Sequence, residues 1–293
     1  MYHWLTSAAL LALTATAVAQ DPPETPNDSS DTDTKSSLEK LVGAPLTIDI
    51  KAGAWLSRID GTASNGPNFI NFGESTSRSL GIGNLEAAFR GEMTISSGEW
   101  GGRLMGAHGK WSGKATVANA TAWGPPVAGQ PRLQPGQQYD SSLEMSWMGF
   151  ELLWNPWSPE GDGDRNTLDP LEIIVGPNVG ANWLDIKQTL DNVDTGSSWW
   201  TAYGGGQVSA RVDLRPYTGI LHSMEVDFGA SVGSTISNGG YFWKIRGGLT
   251  LNFTPNIGAE VGYRIMEYKD LKDGNWEISP RFPGLFIALD VRF

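Results

Sequence analysis

The sequence predicts an all-β protein: a closed antiparallel barrel of about ten strands (eight as the alternative) that crosses a membrane with its apolar faces outward. Three observations point there. Apolar and polar residues alternate with period two through most of the chain beyond Leu46. The polar side of these segments carries charges of both signs at mid-strand. Finally, from Leu285 to Phe293 every odd position is large and apolar, while Asp290 and Arg292 take the other face. A strand with one greasy and one charged face is stable when the first meets lipid or core and the second meets water or an ion pair.

Residues 1–45 are not expected to belong to the barrel. Leu5 to Ala19 is a short apolar run, and Ala17-Val18-Ala19 has the small-x-small pattern of a secretory cleavage site before Gln20, so residues 1–19 read as a signal peptide. The residues ahead of that run include no Lys or Arg, a departure from the usual signal. Residues 20–45 hold Asp21, Glu24, Asp28, Asp31, Asp33 and Glu39 against Lys35 and Lys40, with little that is apolar. Such a stretch cannot bury enough surface to offset ordering and reads as a disordered acidic linker.

Residues 46–293 form the predicted barrel. Leu46, Ile48, Ile50, Ala52, Ala54 and Leu56 alternate with Thr47, Asp49, Lys51, Gly53, Trp55 and Ser57. Leu85 to Ile95 repeats the pattern, and Ser96-Ser97-Gly98 turns into a Gly-rich strand over Trp100 to Val117. Met148 to Trp154 marks the fourth strand. Leu171 to Leu190 is the fifth, where Pro177 suggests a bulge and the apolar face changes side near Trp183. Trp200 to Leu214, Met224 to Val232, Trp243 to Phe253, Ile257 to Ile265 and the terminal segment complete ten. The connections over Asp60 to Ser79, Ala118 to Asp140 and Lys269 to Pro283 are long, and those near Ser97, Arg215 and Pro255 are shorter. Long loops on one side and short turns on the other suit a membrane barrel. Two connections break the alternation, Trp157 to Asp169 being too long and Asn192 to Ser198 too short.

The charges expected inside are Asp49 and Lys51, Glu86 and Arg90, Arg211 and Asp213, Glu225 and Asp227, Lys244 and Arg246, Glu260 and Arg264, and Asp290 and Arg292. Enclosed, they must pair, because an unpaired buried ion costs several kcal/mol. Glycines recur on the same face, leaving room beside bulky neighbours. Trp100, Trp154, Trp199, Trp200, Tyr241 and Trp243 lie toward strand ends, as in aromatic girdles at a membrane interface. With 13 Trp, a soluble carbohydrate-binding β-sandwich is the reading from a different class.

Taken together, the exported start, the acidic linker, the amphipathic strands and the terminal Phe resemble the bacterial outer-membrane β-barrel superfamily, over nearly all of residues 46–293. In that family the last strand is an assembly signal. Gly284, Ile287, Leu289 and Phe293 fill its positions, and Phe282 replaces the polar residue usual two before the Gly. The resemblance implies lipid and the barrel-assembly machinery as partners and an outer-membrane location. It implies a structural, surface-contact or narrow-pore role, with loops Asp60–Ser79 and Ala118–Asp140 as the contacts. A diffusion porin is the alternative.

No catalysis is expected from the sequence. His108 and Ser112 share a strand face but stand about 13 Å apart, and His222 and Ser223 point to opposite faces. Cys is absent and the histidines lack paired spacing, so neither a metal nor any other cofactor is expected. Asp162 and Asp164 lack the closing Glu of a calcium loop. Gly204-Gly205-Gly206 has no following Lys or helix to make a phosphate loop. A net charge of −11 argues against nucleic acid.

Overall fold

A computed structural model describes residues 46–65, 68–73, 78–117, 121–122, 132–156, 171–191, 193–236 and 239–293. The expected signal peptide and acidic linker lie outside the described residues, as does most of the Ala118–Asp140 loop.

Ten long strands carry the fold: β1 (Leu46–Ser57), β2 (Glu86–Ser97), β3 (Trp100–Val117), β4 (Gln138–Trp154), β5 (Leu171–Leu190), β6 (Val193–Asp213), β7 (Ser223–Thr235), β8 (Tyr241–Asn252), β9 (Ile257–Lys269) and β10 (Trp276–Arg292). Each pairs antiparallel with the next, and β1 pairs with β10 from Asp49↔Arg292 to Ser57↔Gly284. That last ladder closes the ring and leaves no edge for another chain to extend. Phe293 continues it, exchanging backbone hydrogen bonds with Ile48. No helix occurs among the described residues.

The alternation sets which side chains leave the barrel. Val226, Phe228, Val261, Ile287 and Leu289 point out and are about half exposed or more, Leu289 at 56%. The neighbours between them point in. On β5 the exterior is apolar from Leu171 to Trp183, about 40 Å along the strand and roughly 30 Å in height at the usual tilt. That matches the hydrocarbon layer of a bilayer. Trp100 and Trp154 stack at 5.9 Å at the end where β1 begins and β10 stops, and Trp200 and Tyr241 stand exposed toward the other. The barrel therefore has the architecture of an outer-membrane protein, not of a two-sheet sandwich.

Three local expectations are corrected. β5 runs without a bulge, since its register with β6 is unbroken from Leu171↔Val212 to Leu190↔Val193. Pro177 lies one residue outside the stretch paired with β4, which starts at Asn178, a position that tolerates a missing N–H. The segment 193–198 is no loop: β6 begins at Val193, and Asp191 has φ of 48°. What the sequence lacks in loop length it supplies as strand, because β5 and β6 extend far beyond the apolar band. Trp199 points inward, fully buried, not into an interfacial girdle.

The long connection after β1 is also structured. Asp60–Asn65 pairs with β10, Asn68–Asn71 pairs with Asp60–Asn65, and Arg78–Ser79 pairs with the end of β3. These short strands complete the wall where β1 and β2 have stopped. Ile59, Ala63, Ile70, Phe72, Leu80 and Ile82 are buried against the barrel interior. The described residues of Asp60–Ser79 therefore belong to the wall and core.

Candidate functional site

The lumen has three levels. At the end where β1 begins and β10 stops (the terminal end) a cavity of about 350 Å³ opens between Thr47, Ser96, Asn155, Glu172, Ser209 and Pro255. Its inner wall is a layer of buried ion pairs, Lys51, Glu92, Arg103, Glu151, Arg246 and Arg264 among them. Above that, toward the loop end, the interior is filled with aromatic and aliphatic side chains.

The ionic layer is organised around two carboxylates. Glu92 accepts from Arg90 Nη2 at 2.9 Å and Arg246 Nη1 at 3.0 Å, and lies 3.3 Å from Arg103 Nε and 3.9 Å from Arg264 Nη2. Glu260 receives Arg90 Nη1 at 3.1 Å, Arg246 Nη2 at 2.5 Å and Lys51 Nζ at 3.5 Å. Glu151 binds Arg103 at 3.1 Å and also Lys244. Nearer the mouth, Arg292 joins Asp49 at 3.1 Å, Glu225 at 2.9 Å and Asp290 at 3.2 Å. Asp227 lies 3.4 Å from Arg246 Nε. Arg90, Arg103, Arg246 and Arg292 each bridge two or more carboxylates, which is what permits this many charges in a low-dielectric interior.

Phe286 roofs this layer. The Arg90 guanidinium sits 4.2 Å from its ring centroid, with Arg246 and Arg264 at 5.7 and 5.9 Å. Gly262 makes room for the ring: a Cβ there would lie 2.3 Å from Phe286 Cζ and 2.4 Å from the Gly247 carbonyl. Beyond Phe286 come Trp55, Trp111, Trp147, Phe242, Tyr268 and Phe282, all buried. Three of the four polar side-chain atoms among them find partners, and Trp55 Nε1 is buried without one. Trp147 Nε1 donates to Tyr268 Oη at 2.9 Å, Tyr268 to Asn182 Oδ1 at 2.9 Å, and Trp111 Nε1 to the Ser57 carbonyl at 2.8 Å.

Of the charges expected inside, Asp49, Lys51, Arg90, Glu225, Asp227, Lys244, Arg246, Glu260, Arg264, Asp290 and Arg292 all face the lumen and take part in these contacts. Asp290 with Arg292 and Arg90 with Glu92 pair along one strand; the other ion pairs of the layer run across strands. Glu86 lies opposite Ser57 at the loop end of β2 and takes no part in the layer. Asp213 turns away to a bidentate pair with Arg215 (3.1 and 3.0 Å), and Arg211 donates to Ser223 Oγ at 3.4 Å. Both stand at the mouth, where the hairpin and not the lumen supplies partners. Glu92, Arg103 and Glu151 were missing from the sequence-based pairs, although alternation already put Glu92 and Glu151 on the inner face. The terminal-strand residues Ile287 and Leu289 face outward and Gly284 opposes Ser57.

His222 closes the Leu214–His222 turn at the mouth. Both ring nitrogens are buried without a partner, and burial followed by the Arg215 and Arg211 charges pushes its pKa below the usual histidine value.

Outside the barrel, the structure brings together side chains that the sequence keeps apart. His108 on β3 opposes Ser146 on β4, and His108 Nδ1 is 3.0 Å from Ser146 Oγ. Glu144 Oε1 stands 4.0 Å from His108 Nε2. The expected distance between His108 and Ser112 is irrelevant to this pairing, because the serine comes from the neighbouring strand.

No protein-family model matches the chain, and no curated protein is significantly similar to it. Solved structures with a similar fold include the outer membrane protease OmpT from Escherichia coli (8% identity, 84% of this chain, 97% of that one, TM-score 0.48). Ail, the attachment invasion locus protein of Yersinia pestis, has 10% identity over 84% of this chain and 98% of that one, with a TM-score of 0.31. The transport unit of the autotransporter AIDA-I from Escherichia coli has 7% identity over 90% and 91%, with a TM-score of 0.33. Identities and scores this low assign no activity to this chain.

Proposed function

We propose that this protein is an exported outer-membrane barrel that does not conduct, and that its role is to hold a rigid wall and its loops at the membrane surface. The observation that carries this is the filled loop-end half of the lumen. Phe286 and the aromatics above it leave no room for an aqueous path, and the ion-pair layer beneath has its charges spent on one another. The lumen charges are structural in this reading, with no catalytic part.

The apolar exterior supports lipid as the partner of the barrel wall, and the outward Ile287 and Leu289 support recognition of the last strand by assembly machinery. By the usual asymmetry of turns and loops, the terminal end faces the periplasm. Two measurements test the proposal. Unheated protein is expected to migrate ahead of heated protein on gels and to stay with membranes through carbonate washing. Purified protein in planar bilayers is expected to show no stepwise conductance; reproducible single-channel steps would return the narrow-pore or porin reading.

A further inference from the structure

The geometry points to a second site, on the outer wall of the barrel: His108, Ser146 and Glu144 as an ester-hydrolysing triad working on an acyl lipid at the membrane surface. It goes beyond the proposed structural role and rests on it in one respect, that the apolar band faces lipid.

Three observations converge. The first is the constellation itself. A serine hydroxyl 3.0 Å from one imidazole nitrogen, with a carboxylate facing the other, is the arrangement that makes a weak nucleophile reactive. At 4.0 Å the carboxylate is not hydrogen-bonded, and Glu144 is partly exposed.

The second is position. Register places the row Gly106–Met148–Trp183–Trp200 directly below the row His108–Ser146–Asp185–Ser198. The lower row is the last of the apolar exterior, and the upper row is the first polar one. A serine and histidine at that border meet a lipid where its ester groups lie, between chains and headgroup.

The third is shape. Below His108 the exterior carries Gly106 and its ladder partner Gly91, where an added Cβ would make only ordinary contacts, with the Trp147 carbonyl and the Phe89 ring, each at 3.7 Å. Phe89, Leu104 and Met148, all exposed, flank this depression. An acyl chain laid there would present its carbonyl to Ser146. Lys110, opposite Glu144 in register and on the same outer face, adds positive charge for the oxyanion, since in a closed barrel wall the backbone N–H groups are occupied by the ladder.

The reaction balances without a further reagent. Ser146 Oγ attacks the acyl carbon as its proton passes to His108 Nδ1. The C–O bond to the alcohol then breaks, and His108 returns the proton to the departing alkoxide, leaving an acyl-serine and a lyso-lipid. Water, deprotonated by His108, attacks the acyl carbon; Ser146 regains its proton and a fatty acid leaves. Glu144 acts as a positioning residue, holding the tautomer with the proton on Nε2.

The test uses the full chain folded into detergent–phospholipid micelles. Wild type is expected to release fatty acid from a diacyl phospholipid and to be labelled at Ser146 by a long-chain fluorophosphonate. Ser146→Ala and His108→Asn are expected to lower release by about 10³-fold and to abolish labelling. Glu144→Gln is expected to lose about tenfold, with partial rescue by Glu144→Asp. All three positions are on the outer surface, and the heat-shifted gel band reports folding independently. Folded wild type that neither releases fatty acid nor takes the label overturns the triad while leaving the membrane barrel intact. So does Ser146→Ala with wild-type release.

Discussion

β3 to β6 change polarity halfway along their length. In the half at the terminal end, Leu104, Phe150, Leu152, Ile173 and Val208 point outward, while Glu92, Arg103, Glu151 and Arg246 fill the lumen. In the loop-end half the exterior is His108, Lys110, Glu144 and Lys187, and the interior is Trp111, Leu143, Met145, Leu184, Ile186 and Trp199. The first half is built for lipid outside and ions inside; the second is a water-soluble barrel with an ordinary hydrophobic core. One continuous ladder carries both, because strand pairing does not depend on which face is greasy. The solvent outside decides which arrangement is stable at each height.

The two halves are held by different forces, so they should fail differently. The largest effect is expected in the ionic half. Glu92→Gln removes the carboxylate shared by Arg90, Arg103 and Arg246, leaving buried cations short of a partner. A loss of about 3–5 kcal/mol follows, read by urea unfolding in vesicles. A loss below about 1 kcal/mol would mean that water already reaches this layer.

In the loop-end half the cost follows the volume removed. Leu184→Ala, at a fully buried position, is expected to lose about 3 kcal/mol, and Ile278→Val about 1 kcal/mol. Graded losses of this kind, measured by the same unfolding, distinguish a packed core from a charge network in which any one deletion strands several partners. Neither variant is expected to conduct, because Phe286 and the remaining buried aromatics still fill the lumen.

The outward face of the membrane half was legible because every second residue must be apolar there. That constraint is local and shows in any ten-residue window, as Ile257 to Ile265 illustrates. The partners inside were not legible. Arg90 and Glu260 are 170 residues apart, and Arg246 and Glu92 are 154 apart. Only ring closure brings them together, so pairing neighbours along one strand misassigned Glu86 and Asp213 and left out Arg103. The inversion near Trp183 is visible in the sequence, close to a Pro177 that suggests a bulge. The physical cause is the end of the apolar exterior, beyond which Leu184 and Ile186 turn inward as core. Many of the 13 Trp that kept a soluble sandwich in contention belong to that same half: Trp55, Trp111, Trp199 and Trp276 are buried in it. The Ser146–His108 contact was hidden for the reason the ion pairs were, since it crosses from one strand to another at a register that alternation alone does not fix.

The smallest expected effect belongs to the mouth of the membrane half, where His222 tests whether the turn region is as tightly packed as the lumen above it. Its pKa is lowered in the folded protein by burial and by Arg215 and Arg211, so the folded state resists a proton that the unfolded chain accepts. The unfolded state therefore binds more protons as pH falls through about 6.5, and stability declines from there toward the depressed folded pKa. Asp213, which favours the charged imidazole, tempers this. His222→Gln is expected to flatten the pH dependence of the urea midpoint between about pH 7 and pH 5, with little change above it. An unchanged slope would place the titrating group elsewhere and the His222 ring in water. The turn would then be a loosely held rim, and the rigid part of the membrane half would begin only at the Arg292 cluster.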